Sequence, residues 1–168
     1  PSAFIHQELE KLKTSLDGKV IISAIKGIVP ESSLIVGEHF NTYFNVAFDD
    51  IGVISGPCHA EEVALERLSY LTIACADDTK ASVVADHLSC DYIKCNISDD
   101  VIGTEYAAML KNIYAIAAGI AHGLGYGDNF QSVLMSNAIR EMKRYVKRVH
   151  KMKRDINDSA YLGDLLVT

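Results

Sequence analysis

Between residues 101 and 121 nearly every side chain is apolar or small, and no proline interrupts the run. A helix built from such a stretch is apolar on every side and needs burial all round. Asp99 and Asp100 stand just before it, where a carboxylate accepts free backbone N–H groups and complements the helix dipole. The length invites a membrane reading. Glu105, Lys111, Asn112 and His122 punctuate the run, however, and charge inside a span is costly, so a buried helix of a globular protein is expected. Lys111 is its odd member, because a lysine is almost never fully buried without a partner. Two readings stand side by side: a lysine in dry surroundings that exchanges protons near neutral pH, or one whose stem is buried while its ammonium reaches water.

Ahead of this helix, short apolar runs alternate with helical patterns. Residues 3–16 place Phe4, Ile5, Leu9, Leu12 and Leu16 roughly on one helix face, and Asp17-Gly18 ends the pattern. Residues 20–24 are continuously apolar but for Ser23, as in a strand buried on both faces. Ser32 or Ser33 is placed to cap a helix through Leu34, Ile35, His39 and Phe40. Further strands are expected at 51–54, 71–75 and 92–96, with a helix at 79–88 before the last. This alternation predicts an α/β layer with a largely parallel sheet over residues 1–98. Past Ser98 no strand pattern remains, so residues 99–168 are expected to be all-α, with a domain boundary between the two parts. Gly123-Leu124-Gly125-Tyr126-Gly127 follows a helix rather than a strand, which suits a helix end and not a nucleotide loop. Asp128 and Gln131 look like a capping box for a second long helix. The run from Arg140 to Arg154 is basic, as a solvated face would be.

Lys26-Gly27 lies just past the 20–24 strand, where open α/β sheets bind ligands. Ser55-Gly56-Pro57 closes the 51–54 strand. Gly56 suits a tight turn, Pro57 the first turn of a short helix, and N–H groups at such a junction can face an anion. Asp164, after Gly163, is either a partly buried carboxylate or a helix N-cap. Other chemistry is argued against. The net charge is -6, whereas broad nucleic-acid binding needs many cationic contacts. Cys58, Cys75, Cys90 and Cys95 form no CxxC pair, so zinc and thioredoxin-like motifs are not indicated; they read as reduced core cysteines of a cytoplasmic protein. His59 and Glu62 lack a third ligand at suitable spacing, so no metal is expected. The beginning of the sequence shows no cleavable signal pattern.

Four segments, taken in order, resemble the NAD(P)-dependent glycerol-3-phosphate dehydrogenases of the bacterial soluble type. They are Ser23-Ala24-Ile25-Lys26-Gly27; Ile54-Ser55-Gly56-Pro57-Cys58-His59-Ala60-Glu61-Glu62; the block from Ser98-Asp99-Asp100-Val101-Ile102-Gly103 through Leu110-Lys111-Asn112-Ile113-Tyr114; and Leu162-Gly163-Asp164-Leu165-Leu166-Val167-Thr168. The family's glycine-rich dinucleotide fingerprint and its later Arg-Asn pair do not occur here. The resemblance therefore implies the later part of a Rossmann-like parallel-sheet domain joined to the first helices of a helical substrate domain, inactive by itself.

The implied reaction interconverts sn-glycerol 3-phosphate and dihydroxyacetone phosphate by hydride transfer with NAD or NADP, feeding glycerophospholipid synthesis. By the same resemblance, Lys111 is the general base and a substrate contact, Asn112 helps to hold substrate, and Asp164 orients the lysine and the substrate hydroxyls. Lys26 touches both substrate and cofactor, Gly56 and Cys58 contact substrate, Ala60 contacts cofactor, and Thr168 neighbours substrate. Cys58 departs from the family's serine, and a thiol is a weaker hydrogen-bond donor than a hydroxyl. The implied partner is a phosphorylated small molecule, with no nucleic acid and no membrane span, and a homodimer is compatible with the pattern. Two alternatives stay open. One is a 6-phosphogluconate- or 3-hydroxyacid-type dehydrogenase, which also uses a lysine and an asparagine on its central helix. The other is a non-catalytic folding or association module.

Overall fold

The computed structural model describes residues 1–167. Its main sheet runs in the order β1 (Ile21–Ser23), β4 (Ile51–Ser55), β5 (Ser69–Cys75), β6 (Ile93–Ser98). A separate antiparallel hairpin pairs β2 (Ile28–Val29) with β3 (Leu34–Ile35). The helices are α1 (Ile5–Leu9), α2 (Val36–Phe44), α3 (Ala60–Ala64), α4 (Asp78–Leu88), α5 (Val101–Gly123), α6 (Asp128–Val149) and α7 (Asp164–Leu166). All the strands precede α5, as the loss of strand pattern past Ser98 predicts.

The sheet is parallel at both flanks, β1 with β4 and β5 with β6, and antiparallel where β4 meets β5. Parallel pairing needs a crossover, usually a helix that covers one face of the sheet. The connection from β4 to β5 holds only α3, which buries no residue, so the chain turns back beside β4 instead. The apolar run over 20–24 marks a strand but neither its burial nor its direction. β1 lies at the sheet edge, so Val20 is exposed and Ile21 and Ile22 are only half-buried rather than covered on both faces.

Local departures have local causes. The helix expected over 3–16 stops at Leu9, because a short helix draws its stability from tertiary packing, and Leu12 is exposed. Leu34 and Ile35 enter the hairpin rather than a helix, and the N-cap of α2 is Ile35. Ser32 instead places its hydroxyl 3.1 Å from His39 Nδ1. Pro57 precedes α3 by three residues instead of starting it. Gln131 does not close a capping box; its Nε2 donates to Ala118 O on α5 at 3.0 Å, tying the two long helices together. Cys75 is buried, but Cys90 is exposed and does not belong to the core.

One core cluster fills the space between sheet and hairpin, with Val29, Val36, Phe40, Ile51, Val53 and Val101 at its centre. A second joins α5 to α6 and α7 through Ala107, Leu110, Tyr114, Met142, Val146 and Leu165. Fully burying each such aliphatic side chain is worth about 1.5–3 kcal/mol. The expectation that α5 is buried on all sides fails on one face: Ile113, Ile116 and Ile120 are exposed, Ile116 at 65%. Among the described residues no helix is long and apolar enough to cross a membrane.

Candidate active site

Lys111 owes its position to the helical repeat. Ala107, Leu110 and Tyr114 face the second core, and Lys111, four residues after Ala107, lies at the margin of that stripe. Its side chain is 13% exposed, and its Nζ donates to Asp164 Oδ1 at 2.8 Å. Lys26 approaches the other carboxylate oxygen, Oδ2, at 3.4 Å. Two ammonium groups thus share one buried carboxylate, and the cluster carries a surplus of positive charge suited to an anionic ligand. Burial lowers the Lys26 pKa and Lys111 lowers it further, against the raising effect of Asp164.

Each member is brought in by a different device. Lys26 follows β1 through a turn in which Ser23 Oγ accepts the Ile25 N–H at 3.1 Å. Asp164 opens α7 after a single π-helical turn, Ser159–Gly163. It does not cap the helix, since the N-cap is Gly163; the reading of a buried carboxylate is the one that holds. The π-turn is fastened at both sides. Ser159 Oγ lies 3.0 Å from Thr72 Oγ1 on β5, and the Tyr161 hydroxyl donates to Asp100 Oδ2.

Asp100 is a hub that sequence reasoning recognised only as a helix start. It caps α5 by accepting the Gly103 N–H at 2.9 Å. It also accepts from Arg154, whose Nη2 lies 3.0 Å from Oδ1 and whose Nε pairs with Oδ2. Arg154 falls beyond α6 and its side chain is only 7% exposed, so it is not part of a solvated basic face. Nothing in the run from Arg140 to Arg154 distinguishes it from its neighbours; the signal lies in Asp100, an acid that needs a partner once buried.

The remaining expected residues stand around the cluster. Asn112 follows Lys111 and is exposed, as is Ala60 at the start of α3, while Cys58 is half-buried. Among the described residues none of the three is hydrogen-bonded to the cluster. Burial raises the Cys58 thiol pKa, with Ser69 opposing, so the thiol stays protonated. The loop carrying Gly56 and Cys58 abuts the Asp164 turn: Pro57 Cγ lies 3.8 Å from where a Gly163 Cβ would stand. Thr168 lies outside the described residues.

Gly56 itself is required by the backbone. Its φ is +123°, and a Cβ there would sit 2.8 Å from Tyr70 O. Gly56→Ala is therefore expected to destabilise the fold by about 1–3 kcal/mol. Thermal melting measures this, and an unchanged melting temperature would show that the turn adapts.

The chain is similar in sequence and fold to known proteins. The family model described as NAD-dependent glycerol-3-phosphate dehydrogenase N-terminus matches residues 1–81, and that for the C-terminus matches residues 100–168. A glycerol-3-phosphate dehydrogenase [NAD(P)+] of an Exiguobacterium species is 39% identical over 173 residues, covering 100% of this chain and 50% of the relative. That of Oceanobacillus iheyensis is 36% identical, with 100% and 49% covered. The crystal structure of glycerol-3-phosphate dehydrogenase from Coxiella burnetii superposes with a TM-score of 0.86 at 28% identity, over 99% of this chain and 51% of that one. The chain spans about half the length of the curated relatives it matches. With two models of one family together spanning most of the chain, and relatives of that same family aligned along its whole length, the chain belongs to the NAD-dependent glycerol-3-phosphate dehydrogenases.

Proposed function

We propose that this chain supplies the proton-transfer part of a reaction centre that interconverts sn-glycerol 3-phosphate and dihydroxyacetone phosphate with NAD or NADP. The observation that carries the reading is the Lys111–Asp164–Lys26 cluster, a half-buried cationic site beside the carboxyl end of β1. Residues 1–98 belong in this reading to the nucleotide-binding part and residues 99–168 to the substrate part.

The chemistry follows from the contacts. In the reducing direction the Lys111 ammonium gives one proton from Nζ to the C2 oxygen, and in the oxidising direction Nζ, as the neutral amine, takes the C2 hydroxyl proton. Asp164 fixes Nζ by a charge-assisted hydrogen bond at 2.8 Å, which favours a single productive geometry. The positive surplus of the cluster attracts the anionic substrate. Asn112, Gly56 and Cys58 complete the substrate's surroundings in this reading. The residues fit a dinucleotide: β1 and β4 are parallel neighbours, and their carboxyl ends lead to Lys26 and, through residues 56–59, to Ala60 at the start of α3, the edge where such cofactors lie in open sheets. When bound, the nicotinamide carries the hydride. The four cysteines are free, which supports a reducing, cytoplasmic setting.

Substrate discrimination tests the reading. The full-length protein should oxidise the reduced cofactor rapidly with dihydroxyacetone phosphate and far more slowly with unphosphorylated dihydroxyacetone. Phosphate contacts remote from C2 contribute to the transition state as well as to binding, so kcat should fall along with affinity. Equal kcat/KM for the two compounds defeats the assignment.

A further inference from the structure

Glu105 is the one carboxylate on α5, and the Lys111 cluster does not use it. It is only 4% exposed. Its Oε2 accepts the Gly37 N–H at 2.9 Å, and the Val36 N–H beside it also lowers the carboxyl pKa. Val36 and Gly37 are the first residues of α2, where free N–H groups and the helix dipole favour an anion. The approach depends on glycine: a Cβ on Gly37 would lie 2.9 Å from Oε2 and 3.2 Å from Ile51 Cγ2. The carboxylate therefore sits at the joint of α5, α2 and β4. β4 pairs with β1, and the loop after β1 carries Lys26. Its other oxygen, Oε1, is buried with no hydrogen-bond partner among the described residues.

We infer that Glu105 is a positioning residue: it docks α5 on the N-terminus of α2 and thereby sets where Lys111 and Asp164 meet Lys26. The inference rests on the dehydrogenase reading above. The dock is the place where a side chain of the Lys111 helix bonds to the layer that holds Lys26. Glu105 is six residues before Lys111, about 9 Å along the helix at 1.5 Å per residue, so a shift at the dock is carried rigidly to Nζ.

Burial raises the Glu105 pKa to about 7, Glu38 adds to the rise, and the Gly37 and Val36 N–H groups oppose it. Glu38 is the charged group facing it from α2, Tyr106 is its titratable neighbour on α5, and β4 presents Ile51. Its folded value thus lies above the ordinary value of 4.5. The stability that it contributes is fully present below the unfolded pKa and is lost as pH rises through about 7.

The test uses two variants of the full-length enzyme. Glu105→Gln keeps an acceptor of the same shape, and Glu105→Leu removes it. Well below its melting temperature, the Leu variant should lose about 10²-fold in kcat, the order expected for a misplaced reacting group, with KM for the nicotinamide cofactor unchanged. Gln should restore most of the rate and should abolish the fall in melting temperature across neutral pH. A folded Leu variant with kcat within a few-fold of wild type overturns the positioning role. If Leu does not fold, the Gln variant decides: unaltered pH dependence of both kcat and melting temperature overturns the inference. Failure of the wild type to reduce dihydroxyacetone phosphate is a different result and counts against the dehydrogenase reading.

Discussion

Lys111→Met in the full-length enzyme is expected to lower kcat by about 10²–10⁴-fold, the usual contribution of a positioned acid or base. The fold should survive. Methionine matches lysine in length and is a good helix former. Asp164 loses its 2.8 Å partner but keeps Lys26 on its other oxygen at 3.4 Å, so the buried carboxylate is not stranded without a cation. An incompletely satisfied buried acceptor costs about 1–3 kcal/mol, which amounts to several degrees of melting temperature. Cofactor affinity should change little, because the proposed role acts on the substrate oxygen. Lys147→Met is the control. Lys147 is exposed on α6 and should leave kcat within a few-fold. Near-normal turnover of Lys111→Met would mean that the buried ion pair is structural and that the proton passes elsewhere.

What makes Lys111 legible in sequence also limits what can be read around it. A lysine within a long apolar run is conspicuous, and a buried lysine needs a partner. Spacing alone does not disclose which carboxylate arrives; only the family resemblance of the 162–168 segment names Asp164. Asp164 is 53 residues away, and the π-turn that delivers it has no sequence signature. α5 and α6 are legible because their apolar pattern is long, whereas β2 and β3 are two residues each and carry no periodicity to detect. The exposed face of α5 shows the opposite error. Ile113, Ile116 and Ile120 predict burial, and hydropathy alone does not say what does the burying. In the sequence Glu105 reads only as an interruption that argues against a membrane span. Its partners are backbone N–H groups, which every residue but proline has, so no side chain in the sequence marks the contact.

The hub at Asp100 should dominate stability as Lys111 should dominate turnover. Asp100→Asn keeps an N-cap for α5, since asparagine caps about as well as aspartate. It leaves the Arg154 guanidinium buried without its counter-charge. Breaking one side of a buried pair costs about 3–5 kcal/mol, or very roughly 6–20 °C in melting temperature for a domain of this size. Burial alone would raise the Asp100 pKa, but hydrogen bonds from Arg154, Tyr161 and Gly103 outweigh it and hold the carboxyl below its ordinary value of 3.8. With the folded pKa depressed, the stabilisation is present above the unfolded pKa and is lost as pH falls through the folded one. Wild type should therefore melt well above Asp100→Asn at pH 7, and the gap should close only at pH below about 4. A constant gap from pH 7 down to pH 3 would mean that shape, and not charge, holds the hub together. Because Tyr161 lies in the π-turn, three residues before Asp164, Tyr161→Phe adds a separate readout. It removes one hydrogen bond at a cost of about 1–3 kcal/mol, yet its effect on kcat should exceed its effect on melting, since the turn that it releases is the one presenting Asp164 to Lys111.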